Sequence, residues 1–230
     1  MKPKIIFAKN NNEAFKISEK LLYKFSNSKT VLFLSGGSTP SVLYKNLAKQ
    51  KKLKAGAVAL VDERFGATIH SSSNEKMILE TGLIDYLKKK KIEFHQILEN
   101  KSIKITSKDY EKQISKLFSK YKNKIVILGI GEDGHIAGIP AISKISEKII
   151  ADKTSLVAFY DDKEKYGKRV TLTFNALQKF NKLIVIVLGG EKKKSLEQIF
   201  EKGSVAEIPA RFFLRKEIAK KTILISDQKI

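Results

Sequence analysis

Leu183-Ile184-Val185-Ile186-Val187-Leu188 runs straight into Gly189-Gly190-Glu191-Lys192. The run is apolar at every position rather than alternating, which is the pattern of a strand covered by helices on both faces of a parallel sheet. Short apolar, β-branched runs of the same kind recur at 4–8, 31–34, 57–61, 125–130, 156–160 and 222–225. Between them lie Lys- and Glu-rich stretches with helical spacing, at 14–25, 40–49, 109–120 and 192–201. Strand and helix alternating along the whole chain predict an α/β fold: a doubly wound, mostly parallel sheet with helices on both faces. No linker, repeat or low-complexity block divides the 230 residues. A single domain over 1–230 is expected, with a small excursion around 65–105.

Composition narrows the function classes. No apolar run approaches the roughly 20 residues of a membrane helix. The opening Met1-Lys2-Pro3-Lys4 leads into an apolar stretch too short for a signal peptide, which reads better as a first strand. With no cysteine there are no disulfides, thiolate metal sites or cysteine nucleophiles, and a cytoplasmic enzyme is the expectation. The formal charge of +21 raises the question of nucleic acid. Only Arg64, Arg169, Arg211 and Arg215 are arginine; the other basic residues are lysines, in runs such as Lys88-Lys89-Lys90-Lys91 without interleaved aromatics. No nucleic-acid-binding motif accompanies them, so they read as solvated helix faces. Such a field also raises the encounter rate of a small anionic substrate.

Five segments carry candidate chemistry. In Ile127-Leu128-Gly129-Ile130-Gly131-Glu132-Asp133-Gly134-His135, a strand ends in glycines and delivers an acid and one of only three histidines on a tight turn. Imidazole titrates near neutrality, which suits acid–base work. Ser35-Gly36-Gly37-Ser38-Thr39-Pro40 follows a strand and opens a helix, offering backbone N–H groups, hydroxyls and a helix N-terminus to an anion such as phosphate. It is neither a Walker A loop nor a GxGxxG fingerprint, and a plain βα turn fits the same residues. Asp62-Glu63-Arg64 closes the 57–61 strand, Arg169 opens Val170-Thr171-Leu172-Thr173, and Lys192 follows Gly189-Gly190. His70 and His95 read as surface residues, and neither a metal site nor a cofactor is called for. Nothing in the sequence specifies an oligomeric state.

Taken in order, these segments resemble the glucosamine-6-phosphate isomerase/6-phosphogluconolactonase family, and in particular its lactonase branch. Ser35 to Pro40 is similar to the family's phosphate loop, and Asp62-Glu63-Arg64 with Ser73-Asn74 to its second motif. The Gly129–His135 turn resembles the catalytic turn, Arg169 to Thr173 the arginine–threonine strand, and Gly189 to Lys192 the Gly-x-x-Lys element. Pro209-Ala210-Arg211 resembles the C-terminal turn. The deaminase branch has tyrosine where this chain has Arg64, and a glutamate soon after the histidine where this chain reads Ile136-Ala137-Gly138-Ile139-Pro140. Lactonases usually continue Ala-Ser-Leu-Phe-Pro; Ala137-Gly138-Ile139-Pro140 is one residue shorter and lacks the hydroxyl and the aromatic, so a reshaped sugar-lining loop is expected.

The resemblance implies hydrolysis of 6-phospho-D-glucono-1,5-lactone to 6-phospho-D-gluconate in the oxidative pentose phosphate pathway, without metal or cofactor. It implies His135 as general base on water, Asp133 orienting the imidazole or the water, and Asp62 helping to fix the same network. It places the sugar phosphate against Ser35, Gly36, Gly37, Ser38 and Thr39, clamped by Arg169 and Lys192, with Arg64 serving either the phosphate or the oxyanion. Two alternatives stand beside it: a glucosamine-6-phosphate deaminase/isomerase, and a non-catalytic sugar-phosphate-sensing module.

Overall fold

A computed structural model describes residues 1–229. Ten strands alternate with nine α-helices among them. The strands are β1 (Lys4–Phe7), β2 (Thr30–Leu34), β3 (Ala57–Leu60), β4 (Asp62–Arg64), β5 (Glu93–His95), β6 (Asn123–Leu128), β7 (Val157–Asp162), β8 (Gly167–Leu172), β9 (Lys182–Val187) and β10 (Thr222–Ser226). The helices are α1 (Asn11–Phe25), α2 (Ser38–Gln50), α3 (Asn74–Glu80), α4 (Leu83–Lys89), α5 (Ile103–Lys120), α6 (Lys144–Ala151), α7 (Phe174–Leu177), α8 (Lys193–Phe200) and α9 (Lys216–Ala219).

Seven strands form a parallel sheet in the order β1-β10-β9-β6-β2-β3-β5. Every residue of β2, β3 and β10 is buried, as is all of β9 after Lys182, which is why those runs carry no polar alternation. Phe33 of β2, Phe118 of α5 and Phe180 pack as an edge-to-face triangle with centroids 5.0–5.7 Å apart. Local signals fix the helix starts. Asn10 accepts from the Glu13 N–H at 3.0 Å while the Glu13 carboxylate accepts from the Lys9 N–H at 2.7 Å, a reciprocal cap on α1. Ser102, Ser143 and Thr173 cap α5, α6 and α7 through their hydroxyls.

The order of strands decides where a ligand can sit. From β2 the chain moves outward to β3 and β5, then returns to β6 on the other side of β2 and continues to β9 and β10. The seam between β2 and β6 is therefore the topological switch point, and the loops leaving their carboxyl ends part to open a crevice. A second, antiparallel sheet, β4-β8-β7, stands over that end. Val61 is the joint between the two sheets: its N–H donates to Leu34 O of β2 at 2.9 Å, and its carbonyl accepts from Leu172 N of β8 at 2.9 Å.

Three expectations are corrected. The 156–160 run is not part of the parallel sheet; it becomes β7 and pairs antiparallel with β8, because the short turn after Asp162 returns the chain on itself. The 65–105 region is no excursion: α3 and α4 cover one end of the sheet, and β5 extends it by pairing with β3. Helix α5 begins at Ile103 rather than near 109, where Ser102 supplies the cap.

Candidate active site

At the switch point, the loops after β2 and β6 and the roof formed by β4, β7 and β8 enclose a cavity of about 270 Å³. Ser35, Gly36, Gly37, Ser38, Thr39, Asp62, Arg64, His135, Arg169 and Lys192 all line it. Ten of the eleven residues singled out from the sequence thus meet in one place, drawn from segments up to 157 positions apart in the chain (35 to 192). The eleventh, Asp133, stands behind His135.

The histidine is fixed by its own turn. Gly131 N–H donates to His135 O at 2.9 Å and Gly134 N–H to Gly131 O at 3.0 Å. The imidazole lies directly over Gly131, where a Cβ would come within 2.0 Å of Nδ1, so only glycine admits the ring there. The C-terminal turn buttresses the arrangement, Ala210 N–H donating to Gly134 O at 3.0 Å. His135 Nδ1 lies 2.6 Å from Asp133 Oδ1, which also accepts from the His135 backbone N–H at 3.2 Å. That carboxylate selects the Nδ1–H tautomer and leaves Nε2 as the basic nitrogen.

Facing the histidine are the start of a helix and a pair of arginines. Helix α2 starts at Ser38 with Gly37 as its cap residue and no side-chain cap, so its first N–H groups lack an internal acceptor. The Ser35 hydroxyl is buried and has no hydrogen-bond partner among the described residues. From the roof, Arg64 and Arg169 stand opposite each other in the β4–β8 register. Arg64 donates to Ser72 O at 2.7 Å and Arg169 weakly to Lys168 O at 3.4 Å. Among the described residues only Arg211 forms an arginine–carboxylate ion pair, with Glu207 at 2.9 Å. Arg215 instead stacks on Phe174 and Phe212. The four arginines thus divide into two that hold the fold and two like charges set side by side on a cavity wall. Burial, then Arg64 beside it, pushes the Arg169 guanidinium below its ordinary value. Bringing in an anion relieves that repulsion. Lys192 completes the rim, its ammonium 3.4 Å from Glu132.

Asp62 is the one carboxylate lining the cavity. It does not hydrogen-bond to Asp133 or His135, so it is not part of their network as expected; Asn74 Nδ2 donates to its backbone carbonyl at 2.8 Å. Burial pushes the Asp62 carboxyl up, against the pull of Arg64, Arg169 and His135. Its neighbour Glu63 is fully buried and accepts N–H bonds from Arg64 (2.7 Å), Asn74 (2.7 Å) and Glu75 (2.9 Å), tying β4 to the N-terminus of α3.

Burial outweighs those donors and pushes Glu63 up to about 7. Between the ordinary glutamate range near 4.3 and that value, the folded protein keeps a proton the unfolded chain has released. Folding stability therefore falls as pH rises through that window, and Asp62 adds a slope of the same sign. The unfolding midpoint is expected to drop between about pH 5 and pH 7.5, and Glu63→Gln to flatten the slope. Thermal melts across that range measure both.

The loop after the histidine folds back on itself. Ile136 and Ile139 are buried and bridge each other, and the chain turns between them. Gly138 N–H donates to Thr171 Oγ1 at 3.0 Å and its carbonyl accepts from Tyr160 OH at 2.6 Å. A Cβ on Gly138 would sit 3.0 Å from Thr171 and 3.3 Å from Asp62, a tight fit. Aromatic surface comes instead from Tyr160 and Tyr166 of the roof. Tyr160 and Tyr166 were not singled out, since the part of the roof that carries them has no local motif; Glu63 and Asn74 were quoted within the second motif but given no role of their own. His70 and His95 are half-buried rather than surface residues; His70 Nε2 bonds Arg64 O at 2.8 Å and braces the end of β4.

Comparison with known proteins gives the family. Residues 12–224 match the family model described as glucosamine-6-phosphate isomerases/6-phosphogluconolactonase. The chain is 31% identical to a 6-phosphogluconolactonase of Thermotoga maritima over 201 residues, covering 86% of this chain and 85% of the relative. It is 28% identical over 206 residues to a glucosamine-6-phosphate deaminase of Lactobacillus acidophilus, covering 86% and 83%. Among solved structures, a Thermotoga maritima 6-phosphogluconolactonase superposes with a TM-score of 0.73 at 26% identity, covering 98% of this chain and 99% of the other.

Proposed function

Because this chain belongs to the glucosamine-6-phosphate isomerase/6-phosphogluconolactonase family, we propose that it is the lactonase, hydrolysing 6-phospho-D-glucono-1,5-lactone to 6-phospho-D-gluconate in the oxidative pentose phosphate pathway. The observation that carries this reading is the pairing of one oriented histidine with a cationic cradle in a cavity holding a single carboxylate. A δ-lactone is an activated ester, so its hydrolysis needs a positioned water, a base and stabilisation of the developing oxyanion. The phosphate lies against the Gly36-Gly37-Ser38-Thr39 backbone and the α2 N-terminus, held by Arg169 and Lys192 and sharing the charge of Arg64. His135 Nε2 takes a proton from water as its oxygen adds to C1. Collapse of the tetrahedral intermediate breaks the bond from C1 to the ring oxygen, which picks up a proton and becomes a hydroxyl. Asp133 holds the imidazole and stabilises its cationic form.

The single carboxylate lining the cavity, Asp62, supports the lactonase branch. A deaminase of this family resembles a site with a second carboxylate soon after the histidine; here Glu147 is exposed on α6 and does not line the cavity. Incubation with the lactone and, in parallel, with glucosamine 6-phosphate tests the assignment. We expect acid from the first and no ammonia from the second; ammonia release would move the chain to the deaminase branch.

A further inference from the structure

We propose that Lys165 and Tyr166, in the turn between β7 and β8, are positioning residues that hold His135 in register by clamping the far oxygen of Asp133. While Asp133 Oδ1 is taken by His135, Oδ2 accepts from Lys165 Nζ at 2.8 Å and from the Tyr166 hydroxyl. A carboxylate held at one oxygen rocks freely, because its terminal torsion is broad. Held at both, it presents a fixed acceptor to Nδ1–H. The tyrosine ring also stands edge-on to the imidazole, centroids 5.8 Å apart at 77°, and the Lys165 ammonium lies 4.9 Å from its centroid.

The clamp comes from a different sheet, some thirty positions downstream of the catalytic turn. It therefore couples the placement of the base to the roof that carries Arg169, on the strand that follows. Partial burial pushes the Asp133 carboxyl up, but hydrogen bonds from His135, Lys165 and Tyr166 more than reverse this and keep it ionised well below the usual carboxylate range. Tyr166 lines the substrate cavity, yet its hydroxyl is committed to Asp133. The two members are unequal. Lys165 is 62% exposed, and a pair so open to water contributes little, whereas half-buried Tyr166 loses a charge-assisted bond when its hydroxyl goes.

The inference rests on the lactonase reading, and its test separates the two. In the full chain, Tyr166→Phe is expected to lower kcat about tenfold and Lys165→Met about threefold, with KM within about twofold, while Lys165→Arg restores the wild-type rate. The low-field proton resonance of His135 Nδ1–H reports the same bond without turnover, and is expected to move in Tyr166→Phe. If the wild type hydrolyses the lactone while Tyr166→Phe keeps its kcat, or raises KM alone, the positioning role is overturned. If the wild type does not hydrolyse the lactone, the functional reading fails, and an unmoved resonance would then overturn the clamp as well.

Discussion

Replacing His135 with Asn lowers kcat for lactone hydrolysis by about 10²–10⁴-fold and leaves KM within a few-fold, as steady-state kinetics corrected for spontaneous hydrolysis will measure. The size of the effect follows from the chemistry left behind. Neutral water is a poor nucleophile, and the one carboxylate among the lining residues, Asp62, makes no hydrogen bond to His135 and lies in the field of Arg64 and Arg169. A carboxylate held in the field of two arginines does not replace the oriented imidazole. Asparagine is smaller than histidine but adds no clash over Gly131 and can still donate an amide N–H to Asp133, so the loss reports the missing base rather than a collapsed turn. The cradle for the phosphate, built on β2, α2 and β8, does not involve this side chain, which is why binding is spared.

The second large effect runs the other way. Arg169→Ala is expected to raise KM about 10–100-fold with kcat within a few-fold, the cost of one charge-assisted contact to a bound anion. Removing this guanidinium also relieves its repulsion with Arg64 in the free protein. Titration with 6-phosphogluconate checks the same point without turnover, and should show the wild-type affinity falling with added salt. A mutant that lost kcat at unchanged KM would place Arg169 at the reacting carbon instead.

Both predictions concern residues legible in the sequence, and the reason is physical. Ser35 to Thr39, Asp62, Arg64, His135 and Lys192 sit where strands end, and a strand running into glycines or charged residues announces itself locally. The parallel sheet was equally legible because helices on both faces leave no polar alternation in β2, β3, β9 and β10. What stayed hidden was built from pairing. Residues 156–160 carry the same apolar signal as a central strand, and only the return of Gly167–Leu172 beside them makes an antiparallel roof. Tyr160, Lys165 and Tyr166 belong to that roof, so their roles depend on a partner far off in the chain. Glu63 is a similar case: its three N–H donors come partly from α3, whose start lies eleven residues on.

The measurement that tests the account most directly is the decay of 6-phospho-D-glucono-1,5-lactone, followed by phosphorus NMR with and without the protein in the same buffer. The account predicts a rate above the spontaneous one, proportional to protein concentration, with 6-phospho-D-gluconate as the product. Decay at the buffer rate at every protein concentration would contradict it.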